Sequence, residues 1–488
     1  MLAGKVPYRD TFPMHGFLSD GGRDYIVFRL FGATLRASVA ARHFVGAFFQ
    51  PALFLVAAAA SRRPLLAALA IPLNVGMAIA VEADRPVVPL LALAAFAWAL
   101  GEERSRARVL AAGALAGLGL LYSLDFGTFV LAAELATIAV CLWTSRRRPE
   151  PGPFRPRSWL LGLAAVLLPW FALLAMHGAL WQFVKVSFID LPTRFETLWG
   201  LHFPAPWELV REWLRGRLYM AGNVPVGPAI AKRFYLASLL GGIGAVVAVL
   251  AMRRRERPLA PALRLLALSL ASLAFFRYVL FRFHLSTGNA LAGPIFFLLL
   301  VLAFEMLRPR FASPRLLAAA VAFVGVLAAF AMNGPGRLLA VLRDASNYRA
   351  RTAPVASMVP LTVPRGGGIR VPRTEEENLR TLTEFTERHA PPGAPVLDLT
   401  NRAALYFFLR RVNPTRFAEV PPMAPFEDEI LSQLRARPPA FVFLETGTWL
   451  DAIDGIRNST RIPRVWAWVL ENYPVREKVG DTIVALPR

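Results

Sequence analysis

A single cysteine in 488 residues excludes a disulfide framework and any cysteine-based metal site. That residue, Cys141, lies inside an apolar run and reads as a small hydrophobe. The chain has no His-Glu-x-x-His pair, no phosphate-cradling Gly-x-x-x-x-Gly-Lys loop and no Gly-x-Gly-x-x-Gly fingerprint, which argues against zinc-site chemistry and against ATP-driven transport. Internal repeats and low-complexity tracts are absent. Acidic residues are few: 33 Asp and Glu face 55 Lys and Arg, for a formal net charge of +22. In a soluble chain that excess points to nucleic acid. Here the arginines sit between apolar runs, where the positive-inside rule places them, so nucleic acid is excluded as a partner.

What the chain has in abundance is apolar sequence. Hydrophobic residues make up 56% of it and the mean hydropathy is +0.45. The apolar residues fall in runs of about 17 to 23, enough to cross roughly 30 Å of hydrocarbon at 1.5 Å per residue. The runs are apolar all round, as a lipid-facing helix requires. Spans are expected at 43–60, 64–81, 86–101, 109–123, 127–144, 159–180, 234–252, 261–280, 289–307 and 316–332. The fold class is therefore a polytopic α-helical membrane protein of about ten spans with a small C-terminal α/β domain outside the membrane. Pro72 and Pro89 interrupt two of the runs, which is tolerated where neighbouring helices or a wet cavity satisfy the freed backbone.

Orientation follows from the connections. Alternate ones contain 17 arginines, whereas the intervening short loops contain only Arg85, Arg277 and Arg282, so the arginine-rich face is cytoplasmic. This leaves residues 1–42 as a first extracytoplasmic loop, 43–332 as the transmembrane domain with an external loop at 181–233, 333–372 as a linker and 373–488 as an extracytoplasmic α/β domain. In the external loop Trp207, Val210, Trp213, Leu214 and Leu218 recur at helical spacing among Arg211, Glu212, Arg215 and Arg217, the pattern of an amphipathic helix on the outer surface. In the tail, Thr374 to Glu377 reads as a capping box opening a helix to about residue 389. A strand follows at 395–399, helices near 401–411 and 426–437, a buried strand at 440–444, a helix over 465–473 and a hairpin over 475–486 that turns at Gly480-Asp481.

Ionisable residues at the outer membrane surface are the candidates for chemistry, because a charge at that depth needs a partner or a purpose. They are Arg9, Asp10, His15, Asp20 and Asp24 in the N-terminal loop, the pair Glu82 and Asp84, Asp125 at a helix start, and Arg277, Arg282 and His284. Each has a plainer reading beside the functional one. Asp10 and Asp20 suit turns, and Asp24 and Asp125 suit helix N-caps. Glu82 and Asp84 read as solvated acids in a tight turn, with a divalent cation as the alternative. Arg277, Arg282 and His284 interrupt apolar sequence against the positive-inside bias, which favours anion binding. Acids and arginines gathered at one leaflet suit a sugar transfer: an acid deprotonates an acceptor hydroxyl, and arginines neutralise a departing lipid phosphate.

Gly4-Lys5-Val6-Pro7-Tyr8-Arg9-Asp10 with His15-Gly16, then Leu124-Asp125-Phe126-Gly127, then Arg282-Phe283-His284-Leu285, and finally an α/β tail, stand in this order along the chain. Together they resemble the integral-membrane GT-C glycosyltransferases, in particular bacterial relatives of the dolichyl-phosphate-mannose-protein mannosyltransferase and lipid A aminoarabinose transferase families. The resemblance covers most of the chain. It implies a hexosyl- or pentosyltransferase of the bacterial cytoplasmic (inner) membrane that inverts the anomeric carbon. A polyprenyl-phosphate sugar is the implied co-substrate, a glycan, lipid or protein the acceptor, and the reacting centre faces away from the cytoplasm. Asp10, Asp20 and Asp24 are then the catalytic candidates, and Arg9, His15, Asp125, Arg277, Arg282 and His284 the substrate-binding ones. Family members carry a first span and an acidic motif upstream of the stretch matching Gly4, so this chain is expected to be a truncated product lacking that acid. Phe283 stands where the family often has an acid. The rival readings are a transporter or flippase for lipid-linked glycans, disfavoured by the missing repeat, and a non-catalytic envelope scaffold.

Overall fold

The computed structural model describes residues 4–62, 64, 67, 84–101, 105–147, 154–194, 205–217, 219–221, 224–226, 228–253, 259–281 and 358–488. The expected spans at 64–81, 289–307 and 316–332 lie almost wholly outside these residues. The others are helices: α1 (Arg23–Phe31), α2 (Leu35–Ala47), α3 (Phe49–Ser61), α4 (Val87–Ala99), α5 (Arg106–Tyr122), α6 (Leu124–Ser145), α7 (Pro156–Met176), α8 (Leu180–Val184), α9 (Pro206–Leu214), α10 (Pro228–Arg253) and α11 (Leu259–Phe281). Among the described residues, three helical stretches are long and apolar enough to cross a membrane: Leu35–Ser61, Leu124–Ser145 and Pro156–Met176. Helix α7 shows why it suits lipid. Trp159, Leu167, Trp170 and Leu174 are buried, whereas Leu160, Leu161, Leu168, Leu173 and Met176 stand exposed along the rest of its surface.

Glycine decides how closely two of these helices approach. A Cβ on Gly113 of α5 would collide with the backbone carbonyl of Trp159 on α7, and one on Gly162 would collide with the carbonyl of Leu110. Lipid supplies no hydrophobic force between helices, so contact at backbone distance is how they gain dispersion energy. Trp159 completes the joint by donating from Nε1 to the buried Glu134 carboxyl of α6 at 3.0 Å.

The N-terminal stretch departs from its expected form. Residues 1–42, expected as a first extracytoplasmic loop, are helical over much of their length, at 23–31 and from 35 into the helix that ends at 47. Gly32, at φ +87°, ends α1, and the Thr34 hydroxyl accepts from Ala37 N–H at 3.2 Å to start α2. The first apolar run consequently begins at Leu35, eight residues before the expected span, and kinks at Phe48. Arginines on a helix at a membrane surface keep their stems apolar and their heads wet, so charge alone does not end a helix there.

The C-terminal part follows its expected order, with an earlier start. After the short antiparallel pair of β1 (Tyr219–Ala221) and β2 (Val224–Val226) that precedes α10, residues 358–372, expected within a linker, form a second antiparallel pair of β3 (Met358–Pro360) and β4 (Arg370–Pro372), with Leu361 and Val363 between them buried in the domain core. Helix α12 (Arg373–His389) comes next, without the capping box: its N-cap is Pro372, which has no side chain to accept, and Glu376 instead accepts from Thr362. Then come β5 (Leu397–Asp398), α13 (Ala404–Leu409), α14 (Glu427–Ala436), β6 (Val442–Glu445), α15 (Pro463–Asn472) and the hairpin β7 (Val475–Val479) and β8 (Thr482–Leu486). The sheet order is β5-β6-β8-β7, with β5 and β6 parallel and the rest antiparallel. Helix α9 forms where expected and leaves Trp207, Val210 and Leu214 exposed.

Replacing Gly162 by leucine is expected to lower the melting temperature in detergent, because backbone cannot yield as a side chain can and overpacking costs about 1–3 kcal/mol or more. Gly242→Ala on α10, where nothing lies within 4 Å of the added carbon, serves as the control and should leave the melting temperature unchanged.

Candidate functional site

A cavity of about 370 Å³ lies where the N-terminal segment meets one end of the helices and the C-terminal domain. Its helix-side wall is charged: His15, Ser19, Asp20 and Arg23 come from the N-terminal segment, Arg42 from α2, and Asp84 and Arg85 from the turn before α4. Ala403, Ala418, Glu419, Pro422 and Ile453 form the opposite wall.

Local sequence explains the geometry. Gly16, at φ +124°, lets the chain press against the start of α6, where an added Cβ would lie 2.7 Å from the Leu124 nitrogen. The His15 carbonyl accepts from that same Leu124 N–H at 2.6 Å. A Gly-x-x-x-Asp-Gly turn then brings Asp20 back, with its N–H donating to the Gly16 carbonyl at 3.0 Å and Gly21 at φ +128°. The Asp20 carboxylate accepts from His15 N–H at 2.5 Å and remains solvent-exposed in the cavity.

Beneath it lie two ion-pair sets. Arg85, only 4% exposed, pairs with Asp125 in the first turn of α6, and the Arg85 guanidinium sits 5.4 Å from the centroid of the Phe126 ring. Asp125 also accepts from the Ser123 hydroxyl at 2.6 Å and from Phe126 N–H at 2.9 Å, and its carboxylate is 3.7 Å from His15 Nδ1. Asp84, likewise 4% exposed, accepts from Arg23 at 2.7 Å and from Arg42 at 3.4 Å. Arg23 further pairs with Asp24 at 3.1 Å through Nε. Such anchored guanidiniums are rigid, and five N–H donors apiece exceed what one carboxylate uses. On Arg42 the described bond occupies Nε alone.

The expected residues therefore separate. His15 and Asp20 line the cavity, whereas Asp125 and Asp24 lie behind it as partners of Arg85 and Arg23. Neither is an N-cap: Ser123 caps α6 and Gly22 precedes α1. Arg9 and Asp10 pair with each other at 2.9 Å away from the cavity lining, and Asp10 also accepts from Val6 N–H at 2.8 Å, which is the turn role. The Arg9 guanidinium holds the Asp10 carboxyl below its usual range, which makes it a poorer base. Arg9 reaches the His177 carbonyl at 3.1 Å and so clamps the segment to the end of α7. Arg277 lies on α11, where its side chain is outside the description; Arg282, His284 and Glu82 lie outside the described residues. Asp84 is not the solvated acid expected from the sequence, because two arginines pay its desolvation.

Arg23, Arg42 and Arg85 were not expected in the site. Arg85 carried the same signal as Arg277 and Arg282, a cation in a short outer connection, and is recoverable on that ground. The opposite wall gave no signal at all, since Ala403, Ala418, Pro422 and Ile453 are ordinary domain residues in sequence. Among the described residues no group of three His, Cys, Asp or Glu side chains could hold a metal ion.

No family model and no curated protein matches the chain. Solved structures similar to it include two glycosyl-transferring proteins. The first is ArnT from Cupriavidus metallidurans bound to undecaprenyl phosphate, at TM-score 0.44 and 14% identity, covering 95% of this chain and 86% of that one. The second is the Archaeoglobus fulgidus oligosaccharyltransferase in complex with Zn and sulfate, at TM-score 0.41 and 13% identity, covering 90% of this chain and 60% of that one. Both are GT-C glycosyltransferases.

Removing one member of a buried ion pair leaves the other charged and unsolvated, at a cost of about 3–5 kcal/mol. Arg85→Met is therefore expected to destabilise the protein markedly, and the double change Arg85→Met with Asp125→Leu to recover most of the loss, as read by thermal unfolding in detergent.

Proposed function

We propose that this protein transfers a sugar from a polyprenyl-phosphate donor to an acceptor hydroxyl at the extracytoplasmic face of the bacterial inner membrane. One observation carries the reading: a carboxylate open to solvent, Asp20, shares a cavity with the guanidiniums of Arg23, Arg42 and Arg85 at one end of apolar helices. A lipid phosphate sits at the depth where such helices end, and arginines are the side chains suited to bind it in more than one contact.

The chemistry then follows from charge. Asp20 takes the proton of the acceptor hydroxyl, whose oxygen attacks the anomeric carbon. The bond from that carbon to the phosphate oxygen breaks, the electron pair leaves with the phosphate, and the sugar passes through an oxocarbenium-like state. Developing phosphate charge is met by guanidiniums already held in place by Asp84 and Asp125, so little reorganisation is needed as the bond breaks. A single displacement inverts the anomeric carbon. The His15 N–H, by donating to Asp20, orients the carboxylate. Arg282 and His284 are further phosphate contacts on the strength of the sequence resemblance.

Arg42 is the cleanest probe, being half-exposed and held by one long bond. Native mass spectrometry of the detergent-purified protein should show undecaprenyl phosphate retained by the wild type and lost in Arg42→Ala. Asp20→Asn should keep the lipid yet reduce transfer from undecaprenyl-phosphate hexoses and pentoses by about 100-fold or more. Full retention by Arg42→Ala, or unimpaired transfer by Asp20→Asn, would remove the corresponding role.

A further inference from the structure

A wall of fixed arginines holds the product of a phosphate-releasing reaction better than its substrate. A phosphate joined to both a lipid and a sugar carries one negative charge; once the sugar has gone it is a monoester that carries up to two. Guanidiniums anchored by Asp84 and Asp125 therefore grip the departing lipid phosphate more tightly than the donor, and slow product release limits turnover. A proton delivered to the departing oxygen removes the added charge. Histidine is the side chain suited to carry a proton near neutral pH, and His15 lies on the same wall as the arginines.

That imidazole is held from three directions. His15 N–H donates to the Asp20 carboxylate at 2.5 Å and the His15 carbonyl accepts from Leu124 N–H at 2.6 Å, so both backbone groups are fixed. On the ring, Nδ1 lies 3.7 Å from Asp125 Oδ2, the same oxygen that pairs with Arg85. The other Asp125 oxygen accepts from the Ser123 hydroxyl at 2.6 Å, which sets the plane of the carboxylate. An acid facing Nδ1 keeps a proton on that nitrogen, so the proton an imidazolium can give away is the one on Nε2. Nε2 has no partner among the described residues, and the side chain is 18% exposed. Because imidazole and guanidinium meet at one carboxylate oxygen, an anion seated on the arginines lies beside the ring. The other charged or titratable groups around His15 are Asp20, Arg23 at the start of α1, Arg42 of α2, Asp84 before α4, Tyr122 at the end of α5 and Glu419 across the cavity.

We propose that His15, backed by Asp125, donates a proton from Nε2 to the phosphate oxygen that the sugar leaves behind, and so frees the lipid phosphate from the arginine wall. The inference rests on the phosphate reading of that wall. As the bond from the anomeric carbon to the phosphate oxygen breaks, the electron pair stays on the oxygen. The Nε2 proton bonds to that pair, which leaves the phosphate a monoanion and His15 neutral. Asp20 has meanwhile taken the proton of the acceptor hydroxyl. Solvent in the open cavity passes that proton from Asp20 to His15, whose own N–H touches the Asp20 carboxylate, and both groups return to their starting states. Over one turnover the acceptor's proton ends on the lipid phosphate, with no net exchange with the medium.

The experiment counts the protons taken up as undecaprenyl phosphate binds the full chain in detergent, by calorimetry at about pH 7.5 in buffers of different ionisation heat. At that pH a free phosphate monoester, with a second pKa of about 6, is mostly dianionic, so a proton shared between Nε2 and the phosphate has to come from the buffer. The wild type is expected to take up about half a proton or more per lipid bound. His15→Gln, whose amide still donates but does not titrate, is expected to hold the lipid within about 10-fold of the wild type while the uptake falls to near zero. Asp20→Asn is expected to keep the wild-type uptake. A histidine with a merely structural role would alter affinity and leave the proton count alone. Four results overturn this inference and leave the phosphate reading standing: wild-type binding without uptake, uptake that survives His15→Gln, uptake lost in Asp20→Asn instead, or loss of the lipid by a folded His15→Gln. Should His15→Gln not fold, His15→Ala decides: uptake has to be absent in it and return when imidazole is added, and any other result counts against the inference. Failure of the wild type to retain undecaprenyl phosphate overturns both.

Discussion

Arg85 is buried and its partner Asp125 mostly so where helices end, and a charge at such a depth survives only with its partner in place. That pairing ties the turn before α4 to the first turn of α6. Because Asp125 is thereby fixed, so is the carboxylate beside His15, and because the turn is fixed, so is Asp84 next to Arg85. Asp84 then gathers Arg23 and Arg42 from α1 and α2. The charged floor of the cavity is in this sense a chain of obligations that starts from one desolvated pair. It also explains why a wall so rich in arginine is stable, since each cation is anchored by an acid behind it.

The second constraint is the N-terminal segment, which acts as the joint between helices and C-terminal domain. On one side Gly16 and the His15 carbonyl press it against the start of α6. On the other, Phe12 N–H donates to the Arg416 carbonyl at 3.0 Å, and the Phe12 ring lies 5.0 Å from Phe417 and 5.6 Å from Phe426. Arg416 covers this aromatic group and is itself held by Glu429 at 2.6 and 3.0 Å. Farther along, Phe28 stacks on Phe407 at 5.2 Å, and Leu35 N–H donates to the Arg365 carbonyl at 2.7 Å. A segment bonded on both faces cannot shift without moving Asp20, so the open carboxylate keeps its place between the two walls.

Much of the helical and sheet architecture was legible because it follows from local rules. Apolar runs of membrane length mark α6 and α7 within a few residues, and Gly480-Asp481 between alternating residues marks the β7–β8 turn. The errors arose where charge and geometry compete. The first span was expected to begin at residue 43, and the helix there already starts at Leu35; Thr374 to Glu377 suggested a capping box, and the residue at the cap is Pro372. Asp10, Asp20 and Asp24 were indistinguishable as sequence, since all three are acids in a short outer stretch. Only the turn around Gly16 and Gly21 turns Asp20 into the cavity while Arg9 and Arg23 occupy the other two.

Sequence by itself determined the class of this protein: apolar runs long enough to cross a membrane, arginines gathered in the connections between them, and a tail whose periodicities alternate between helix and strand. These are properties of neighbouring residues and of transfer from water to lipid, and they need no knowledge of what packs against what. Tertiary structure alone decided which charges share a space. Arg85 and Asp125 are 40 residues apart, Arg23 and Asp84 are 61 apart, and Glu419 faces them from another part of the chain altogether. Ion pairing depends on distance in space and on the dielectric around it, neither of which is a function of spacing along the chain.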